Sequence, residues 1–496
     1  MVRFADTLGT NVNRRRFLST SVTTAMSFGV ARYARANTGN RFPAMLDESA
    51  ATHLLNRAAF GRGGKLTVQS VQAKGLERWL TEQLQPKQIV QSENFQSQIN
   101  GLTTITQTQT QLLSVYQFSR EEQMAAIRLA AIESRKARLL SAIYSEAQLS
   151  EVMTAFWFNH FNVFEAKDQA RMVIGHYDTH AIRPHVFGRF RDLLGATSRH
   201  PAMLIYLDNG RSFAGRINEN YAREVMELHT VGVDGGYSQS DVTALARMFT
   251  GWTFIRSGRA VAGSTAGPIE GDVFRFDQRR HDDGVTNWFG QTITVKGEAQ
   301  ADFALDFLAQ HPATANRIAF KLAQYFVADE PPKDLVQRLA KVYLQSDGLI
   351  ADVLRALFTD AAFWSASARG TKFKTPYEFA ISMMRVSGAD VQNLQPLLSS
   401  MQLQGQALFG CQTPDGYKNI EAAWLTPESL NHRIQFATNF GAGNMSTLSK
   451  SGPPSAELLQ LALKPILKDK SVSVIASAAP ELKAGLMLST PEFMRR

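Results

Sequence analysis

Apolar residues recur at intervals of three and four along most of this 496-residue chain, and capping residues precede many of these runs. In Asp47–Gly61, for example, an aspartate stands before the first apolar positions and a glycine follows the last, as is typical of one helix with both its ends. Helical spacing resumes after residue 301 and continues through the C-terminal part. The pattern therefore predicts a mainly α fold with a large multi-helical body.

One segment, residues 253–300, interrupts the helical pattern. Residues 257–272 are rich in glycine, alanine and serine and predict a loop. Short alternating runs follow at Val273–Phe276 and Thr292–Val295, and we expect them to pair as a β-hairpin around residues 281–284. The predicted organisation is a helical region at 37–252, a small loop/β-hairpin insert at 253–300 and a second helical region at 301–496, with 37–496 forming one domain.

The densest polar chemistry lies at residues 218–252, where the sequence predicts a helix, a glycine-rich loop and a second helix. At about 100° per residue, Asn220, Glu224 and Glu227 fall within roughly 60° of one another on the first helix. Two carboxylates three residues apart can hold different pKa values, as a general acid and a general base require. We therefore expect Glu224 and Glu227 to be catalytic. The alternative is a solvated helix face with ordinary ion pairs.

Two histidines are further candidates. His160 lies beside Asn159 in the nearly continuous apolar run 151–164, so it is either a hydrogen-bonded core histidine or a functional group on a buried helix. His281 precedes Asp282 in a predicted turn, and this pair fits either a catalytic histidine oriented by a carboxylate or simple turn chemistry. Because buried polar groups need partners, we expect these segments to meet around one cavity.

The predicted site groups its residues by role. The catalytic set is His160, Glu224, Glu227, His281 and Asp282, and the substrate-binding set is Trp157, Asn159, Asp208, Asn209 and Asn220. The sequence contains no G-x-S-x-G elbow, Walker A loop or dinucleotide-binding fingerprint. Serine-esterase chemistry and nucleotide use therefore lack support, and the sequence leaves any cofactor undefined.

No metal ligand is assigned, although one pattern raises the question. His176 and His180 stand four residues apart, as in the H-E-x-x-H zinc motif, but the glutamate of that motif is missing. A metal-binding protein remains one alternative function, and its ligands would be His160, Glu224 and His281.

Residues 1–36 predict a signal peptide of the twin-arginine type. The basic run Asn13–Leu18 (NRRRFL) is followed by a weakly apolar stretch at 19–30 and by the small-residue site Ala34–Ala36. The alternative is a basic tail with no role in targeting. Export by this route predicts a periplasmic or extracellular protein.

The remaining composition excludes several classes of protein. Six arginines against one aspartate give residues 1–36 five of the nine formal positive charges, so the rest is too weakly basic to indicate a nucleic-acid partner. No stretch reaches 18 apolar residues, which argues against a transmembrane anchor. Cys411 is the only cysteine, so no intramolecular disulfide can form.

Several long segments resemble one family of exported bacterial proteins, domain-of-unknown-function family 1800 (DUF1800). They are HLLNRAAFG at 53–61, WFNHFNVF at 157–164, HPAMLIYLDN at 200–209, NENYAREVMELHTVGV at 218–233, GGYSQSDVTALARMFTGW at 235–252, FDQRRHDDG at 276–284, HPATANRIAFKLA at 311–323 and PDGY at 414–417. The resemblance implies a largely helical fold and export. It also implies, as a partner, a second exported protein of the sulfatase-like type encoded nearby. It implies no reaction.

Three classes of function follow from these observations. The leading hypothesis is an exported hydrolase or lyase that acts on an envelope or extracellular polymer by carboxylate and histidine acid–base chemistry. The second is a non-catalytic envelope scaffold, whose polar motifs hold helices together and contact the neighbouring exported protein. The third is the metal-binding protein described above.

Overall fold

Helices form most of the protein, as the apolar spacing predicts. The computed structural model describes residues 45–255, 273–284 and 286–496. The predicted signal peptide and all of the predicted loop 257–272 therefore lie outside the described residues. Residues 43–496 cluster as one compact unit. In the part of the chain that is described, no helix is both long enough and apolar enough to cross a membrane.

The first half of the chain contributes twelve of the described α-helices. They are α1 (Glu48–Ala58), α2 (Val68–Lys74), α3 (Leu76–Gln83), α4 (Glu93–Asn100), α5 (Gln109–Ser114), α6 (Arg120–Tyr144), α7 (Gln148–His160), α8 (Ala170–His176), α9 (Phe190–Arg199), α10 (Pro201–Tyr206), α11 (Glu219–Glu224) and α12 (Gln239–Met248). Two π-helical turns, Tyr177–Ile182 and Val225–His229, directly continue α8 and α11.

The second half adds α13 to α23. They are α13 (Glu298–Gln310), α14 (Pro312–Phe326), α15 (Lys333–Gln345), α16 (Ile350–Thr359), α17 (Ala361–Trp364), α18 (Pro376–Ser387), α19 (Gln395–Leu403), α20 (Pro427–Gly441), α21 (Ala456–Leu463), α22 (Asp469–Ser477) and α23 (Pro480–Leu488). Short 3-10 turns occupy Pro86–Gln88, Val115–Gln117, Arg183–His185, Asn209–Arg211, Gln278–Arg280 and Glu421–Ala423.

The helix starts read from the sequence are confirmed. Asp47 caps α1 by accepting a hydrogen bond from the backbone N–H of Ala50 at 2.7 Å. Ser119 opens α6 and Ser238 opens α12, each in a capping box with the acidic residue three positions later. Each box satisfies backbone donors that the first helical turn would otherwise leave unpaired.

The predicted hairpin is wrong in its pairing. Among the residues that the structure describes, four short strands form two separate antiparallel pairs: β1 (Trp252–Phe254) with β2 (Phe274–Phe276), and β3 (Thr286–Trp288) with β4 (Gln291–Ile293). The two predicted runs therefore have different partners, and neither pairs with the other. β1 takes the position beside β2 because the turn after α12 brings the buried Trp252 and Phe254 there.

The helix that begins at Asn218 does not keep one periodicity. Asn218 caps α11, but after Glu224 the backbone changes to a π-helical turn that ends at His229. The hydroxyl of Thr230 closes this turn by donating to the carbonyl of Val225 at 2.7 Å. A π turn places more residues in each revolution than an α turn does. A face counted at 100° per residue therefore does not hold beyond Glu224.

Candidate functional site

A cavity of about 340 Å³ opens where α7 and α14 face the loop 406–419 and the start of α18. Both apolar and polar side chains line it: Arg138, Ala155, Phe156, Phe158, Asn159, His160, Asn162, Leu228, Arg317, Lys321, Gln324, Tyr325, Thr375, Tyr377, Glu378, Gln406, Ala407, Leu408, Phe409, Asp415, Tyr417, Lys418 and Asn419. Its size and its mixed lining are typical of a small-molecule site.

Asn159 joins α7 to the PDGY turn at the cavity wall. Its side-chain nitrogen donates to the carbonyl of Tyr417 at 2.8 Å, and its oxygen accepts from the backbone N–H of Tyr417, also at 2.8 Å. Gly416 has a φ of +73°, and a Cβ there would stand 2.2 Å from the carbonyl oxygen of Asn159. This close approach requires glycine at position 416, and it fixes the turn against α7.

The hydrogen bonds of His160 determine its tautomer. Nε2 lies 3.0 Å from the carbonyl oxygen of His229, which can only accept, so Nε2 carries the proton. Nδ1 is then a lone-pair acceptor, and it lies 3.0 Å from Nζ of Lys321. Burial lowers the pKa of His160, and the Lys321 cation lowers it further, so the ring is neutral.

Lys321 is the most perturbed amine of the cavity lining. Protein atoms surround most of its side chain, which lines the cavity. This burial lowers the pKa of Lys321 to about 7, and Arg317 one helical turn earlier lowers it as well, whereas Asp415 opposes the shift. An amine with this pKa exists partly as a neutral base near neutral pH.

Arg317 supplies a second cation on the same face of α14. Its Nε and Nη2 donate to the carbonyl of Leu228 at 3.4 and 3.3 Å, near the long limit for hydrogen bonds. Burial lowers the pKa of Arg317. Arg317 and Lys321 thus both line the cavity, and the hydrogen-bond partner of each is uncharged.

Glu224 and Glu227 lie beside this cavity and not in its lining. Glu227 pairs with Arg223 at 3.3 Å, so one carboxylate of the predicted pair already has a cation. Glu224 is half-buried, and this burial raises its pKa, as do the carboxylates of Glu227 and Asp415. Because Asp415 also acts on Lys321, its carboxylate lies within electrostatic range of both groups.

His281 is buried away from the lining residues. Its Nδ1 lies 2.8 Å from the carbonyl oxygen of Thr250, and its Nε2 lies 3.2 Å from Oε1 of Gln300. Asp282 receives two hydrogen bonds from Arg247, at 2.9 and 3.1 Å, and this contact lowers the pKa of Asp282. These contacts match the simple turn chemistry that the sequence left open.

The predicted substrate-binding residues are dispersed. Trp157 is fully buried and donates from its indole nitrogen to the carbonyl of Val186 at 3.2 Å. Asp208 pairs with Lys167 at 2.9 Å, and Asn209 donates to the carbonyl of Phe249 at 3.4 Å. Asn220 is exposed. Of the ten predicted site residues, Asn159 and His160 line the cavity.

A third group of histidines sits beside a separate cavity of about 510 Å³. Nδ1 of His200 accepts from the backbone N–H of Ala202 at 3.1 Å, so Nε2 of His200 is protonated and donates to Nδ1 of His176 at 3.0 Å. The rings of His176 and His180 stack with centroids 4.0 Å apart. These contacts occupy Nδ1 of His176 and both ring nitrogens of His200.

Among the described residues, no group of three or more His, Cys, Asp or Glu side chains is placed to hold a metal ion. His160, Glu224 and His281 form no such group, so the ligand set of the metal-binding alternative is wrong. The physical reason lies in His160, whose two ring nitrogens are occupied by Lys321 and by the carbonyl of His229.

Comparison with known proteins identifies the family. The family model described as "Protein of unknown function (DUF1800)" matches residues 53–495, which is most of the chain. The chain belongs to the DUF1800 family. No curated protein and no solved structure is significantly similar to it.

Sequence reasoning missed Arg317 and Lys321, two of the cations that line the cavity of this DUF1800 protein. Arg317 and Lys321 lie in HPATANRIAFKLA and Tyr417 in PDGY, and both segments were used only for the resemblance. The available signal was the spacing of Arg317 and Lys321. Two like charges four residues apart on an amphipathic helix repel each other, and such a pair indicates a site when both face inward.

Proposed function

We propose that this DUF1800 protein is an exported acid–base enzyme, a hydrolase or lyase acting on an envelope or extracellular polymer, with Lys321 as its general base. One observation carries the proposal: the buried amine of Lys321 faces the cavity and donates to the neutral Nδ1 of His160. A buried amine with a depressed pKa next to another cation is a recurrent feature of enzymes that use lysine as a base or nucleophile.

His160 orients the amine in this proposal. The carbonyl of His229 holds the proton of His160 on Nε2, which leaves Nδ1 directed at Lys321. The neutral amine donates one N–H to Nδ1, and its lone pair can accept a substrate proton. Because the pKa of Lys321 is lowered to about 7, activity should rise with pH through that value as the amine loses its proton.

Glu224 is the group best suited to supply the acid. Burial and the nearby carboxylates of Glu227 and Asp415 raise its pKa, so it retains a proton at higher pH than an exposed glutamate does. Glu224 is one of the two predicted catalytic carboxylates, and it retains a catalytic role in this assignment. Lys321 replaces Glu227 as the base.

Purified full-length protein tests the enzyme proposal with isolated envelope polymers as substrates. A hydrolase releases reducing ends, whereas a lyase releases unsaturated sugars that absorb ultraviolet light. Lys321→Met should lower the rate by roughly 10²- to 10⁴-fold, the usual contribution of a general base. Lys341→Met, which changes an exposed lysine outside the cavity, should leave the rate unchanged. An undiminished rate in Lys321→Met removes Lys321 as the base.

The scaffold alternative predicts a different outcome. For a scaffold, function in a strain lacking the gene should follow stability alone, and a well-folded Lys321→Met protein should restore it fully. For the proposed enzyme, the same variant should fold, reach the envelope and fail to restore function.

Export by the twin-arginine route is part of the proposal. The basic run at 13–18 and the small-residue site at 34–36 support it. Replacing Arg14 and Arg15 together by lysine should leave the precursor in the cytoplasm, as fractionation and immunoblotting would show. Normal export of that double variant contradicts the route.

A further inference from the structure

The charges of the cavity lining do not balance. Six lining residues are charged, four of them cations (Arg138, Arg317, Lys321 and Lys418) and two of them carboxylates (Glu378 and Asp415). A ligand must complement whatever charge remains after the protein's own ion pairs are counted.

Four of these six charges already have a partner. Arg138 pairs with Asp178 behind the wall. Glu378 lies 3.0 Å from Arg496 and accepts from the hydroxyl of Tyr325, also at 3.0 Å.

The remaining carboxylate, Asp415, pairs with Lys418 at 2.6 Å, and the Lys418 side chain is 66% exposed. Arg317 and Lys321 are the cations left over. The partners of both are neutral: a backbone carbonyl for Arg317 and the His160 imidazole for Lys321.

We propose that the cavity binds its substrate through a carboxylate held by Arg317, beside the Lys321 amine. The substrate is therefore an acidic sugar or a closely similar carboxylate. This inference rests on the proposed function, because it assigns the substrate class of the same site.

Three considerations point to a carboxylate, and the first and the third of them also disfavour a phosphate. With the Lys321 amine neutral, Arg317 contributes a single positive charge, which matches a monoanion. The planar guanidinium of Arg317 can form two parallel hydrogen bonds to a carboxylate of about 2.7–2.9 Å. Such bonds would replace the long contacts of 3.3 and 3.4 Å to Leu228 at little cost.

The third consideration is reactivity. A C–H bond beside a carboxylate becomes more acidic when a cation neutralises that carboxylate, so it suits a neighbouring amine base. The Lys321 amine takes that proton, and the C–H electron pair becomes a double bond to the next carbon. The bond from that carbon to the glycosidic oxygen breaks, and the released oxygen takes the proton of Glu224, the acid of the proposed function. The products are an unsaturated acid and an alcohol, so the reaction is that of a lyase.

Binding of the acid should have a protonic signature. A carboxylate brought next to Lys321 favours the ammonium form and raises the pKa of the amine. The free site is largely neutral at about pH 8, because the pKa of Lys321 is about 7. Acid binding at that pH should therefore take up a fraction of a proton per site, and the sites in which the amine stays neutral retain it as the base.

Isothermal titration calorimetry of the full chain with three probes tests the inference. The probes are glucuronate, glucose as its neutral analogue and inorganic sulfate, each in two buffers with different ionisation enthalpies. Glucuronate should bind at least about tenfold more tightly than glucose, with proton uptake. Arg317→Gln should weaken glucuronate binding by roughly ten- to hundredfold, the range of a hydrogen bond to a charged group. Arg355→Gln, which removes a surface partner of Glu77 outside the cavity, should change nothing.

Each contrary result is decisive. Equal binding of glucose and glucuronate overturns the inference, as does an Arg317→Gln protein that binds normally or an absence of binding by all three probes. Tighter binding of sulfate than of glucuronate overturns the choice of carboxylate. Failure of the proposed function would give a different result. Arg317 would still make the protein bind glucuronate more tightly than glucose, but binding would take up no protons. The Lys321→Met protein would then bind glucuronate as tightly as the unmodified protein does.

Discussion

His160 and His281 are both buried histidines that the sequence marks as catalytic, and their surroundings differ in kind. His281 has a backbone carbonyl at Nδ1 and, at Nε2, an amide oxygen at 3.2 Å and a carboxylate oxygen of Asp283 at 3.8 Å. Its neighbour Asp282 pairs with Arg247. His160 has a carbonyl at one nitrogen and a titratable amine, Lys321, at the other. The comparison shows that burial and hydrogen bonding of a histidine do not by themselves indicate a functional site. A polar partner of the histidine that also lines an open cavity does indicate one.

The largest effect that separates the two regions is acid sensitivity. The folded protein keeps His160 and its neighbour His229 neutral, and burial lowers the pKa of His229 to about 3. An unfolded histidine binds a proton with a pKa near 6.5. Unfolding therefore takes up protons between these values, and the free energy of unfolding should fall as pH drops from about 6.5 towards 3. Each neutral histidine contributes up to about 1.4 kcal/mol per pH unit.

Denaturant titrations at a series of pH values would measure this loss. Replacing His229 by glutamine should flatten the pH dependence, because it removes one group that takes up a proton. A free energy of unfolding that stays level between about pH 6.5 and 4 would show that the buried histidines are not held neutral.

Replacing each of the two histidines by glutamine should affect different quantities: the catalytic rate for His160 and the free energy of unfolding for His281. His160→Gln should lower the rate roughly 10- to 100-fold, because Lys321 loses the neutral nitrogen that orients its amine, and the pH profile of activity should shift. His281→Gln should retain full activity per folded molecule. Steady-state rates across pH for both variants test this split. Equal loss of activity in both would make the two regions one site.

His281→Gln should instead lower the free energy of unfolding by about 1–3 kcal/mol, since it disrupts buried hydrogen bonds to Thr250 and Gln300. Thermal and chemical denaturation would measure this cost. A variant as stable as the unmodified protein would mean that His281 does not hold its turn in place.

The smallest effect concerns the stability of Glu224→Gln. Its carboxylate is half-buried near Glu227 and Asp415, so removing the charge should leave the free energy of unfolding equal or slightly higher, by less than about 1 kcal/mol. The same variant should lose its biological effect if Glu224 is the acid. Full complementation of a deletion strain by Glu224→Gln would remove Glu224 from the mechanism.

The helical body could be predicted from the sequence because its signals are local. Capping residues such as Ser119 and Ser238 act on backbone groups three residues away, and apolar spacing reports one helix face at a time. The β pairing could not be predicted in this way. Three-residue strands carry little pattern, and β2 pairs with Trp252–Phe254 across the segment 255–273.

The site could be predicted in part. His160 and Asn159 stood out as polar groups in an apolar run, and both line the cavity. Glu227 was placed on one face with Glu224 by counting an α-helix through a π turn, which the sequence does not reveal. Lys321 was overlooked because a lysine on an amphipathic helix usually faces water, and only tertiary structure brings it to His160.

The proton affinity of Lys321 tests the central claim most directly. Methylating the lysines with ¹³C-formaldehyde and following their methyl signals by NMR against pH yields a pKa for each, and the signal missing from Lys321→Met identifies the residue. The account predicts a titration near pH 7, well below the ordinary lysine value of 10.5. A Lys321 signal that titrates near 10.5 would show an ordinary ammonium group and contradict its role as the base.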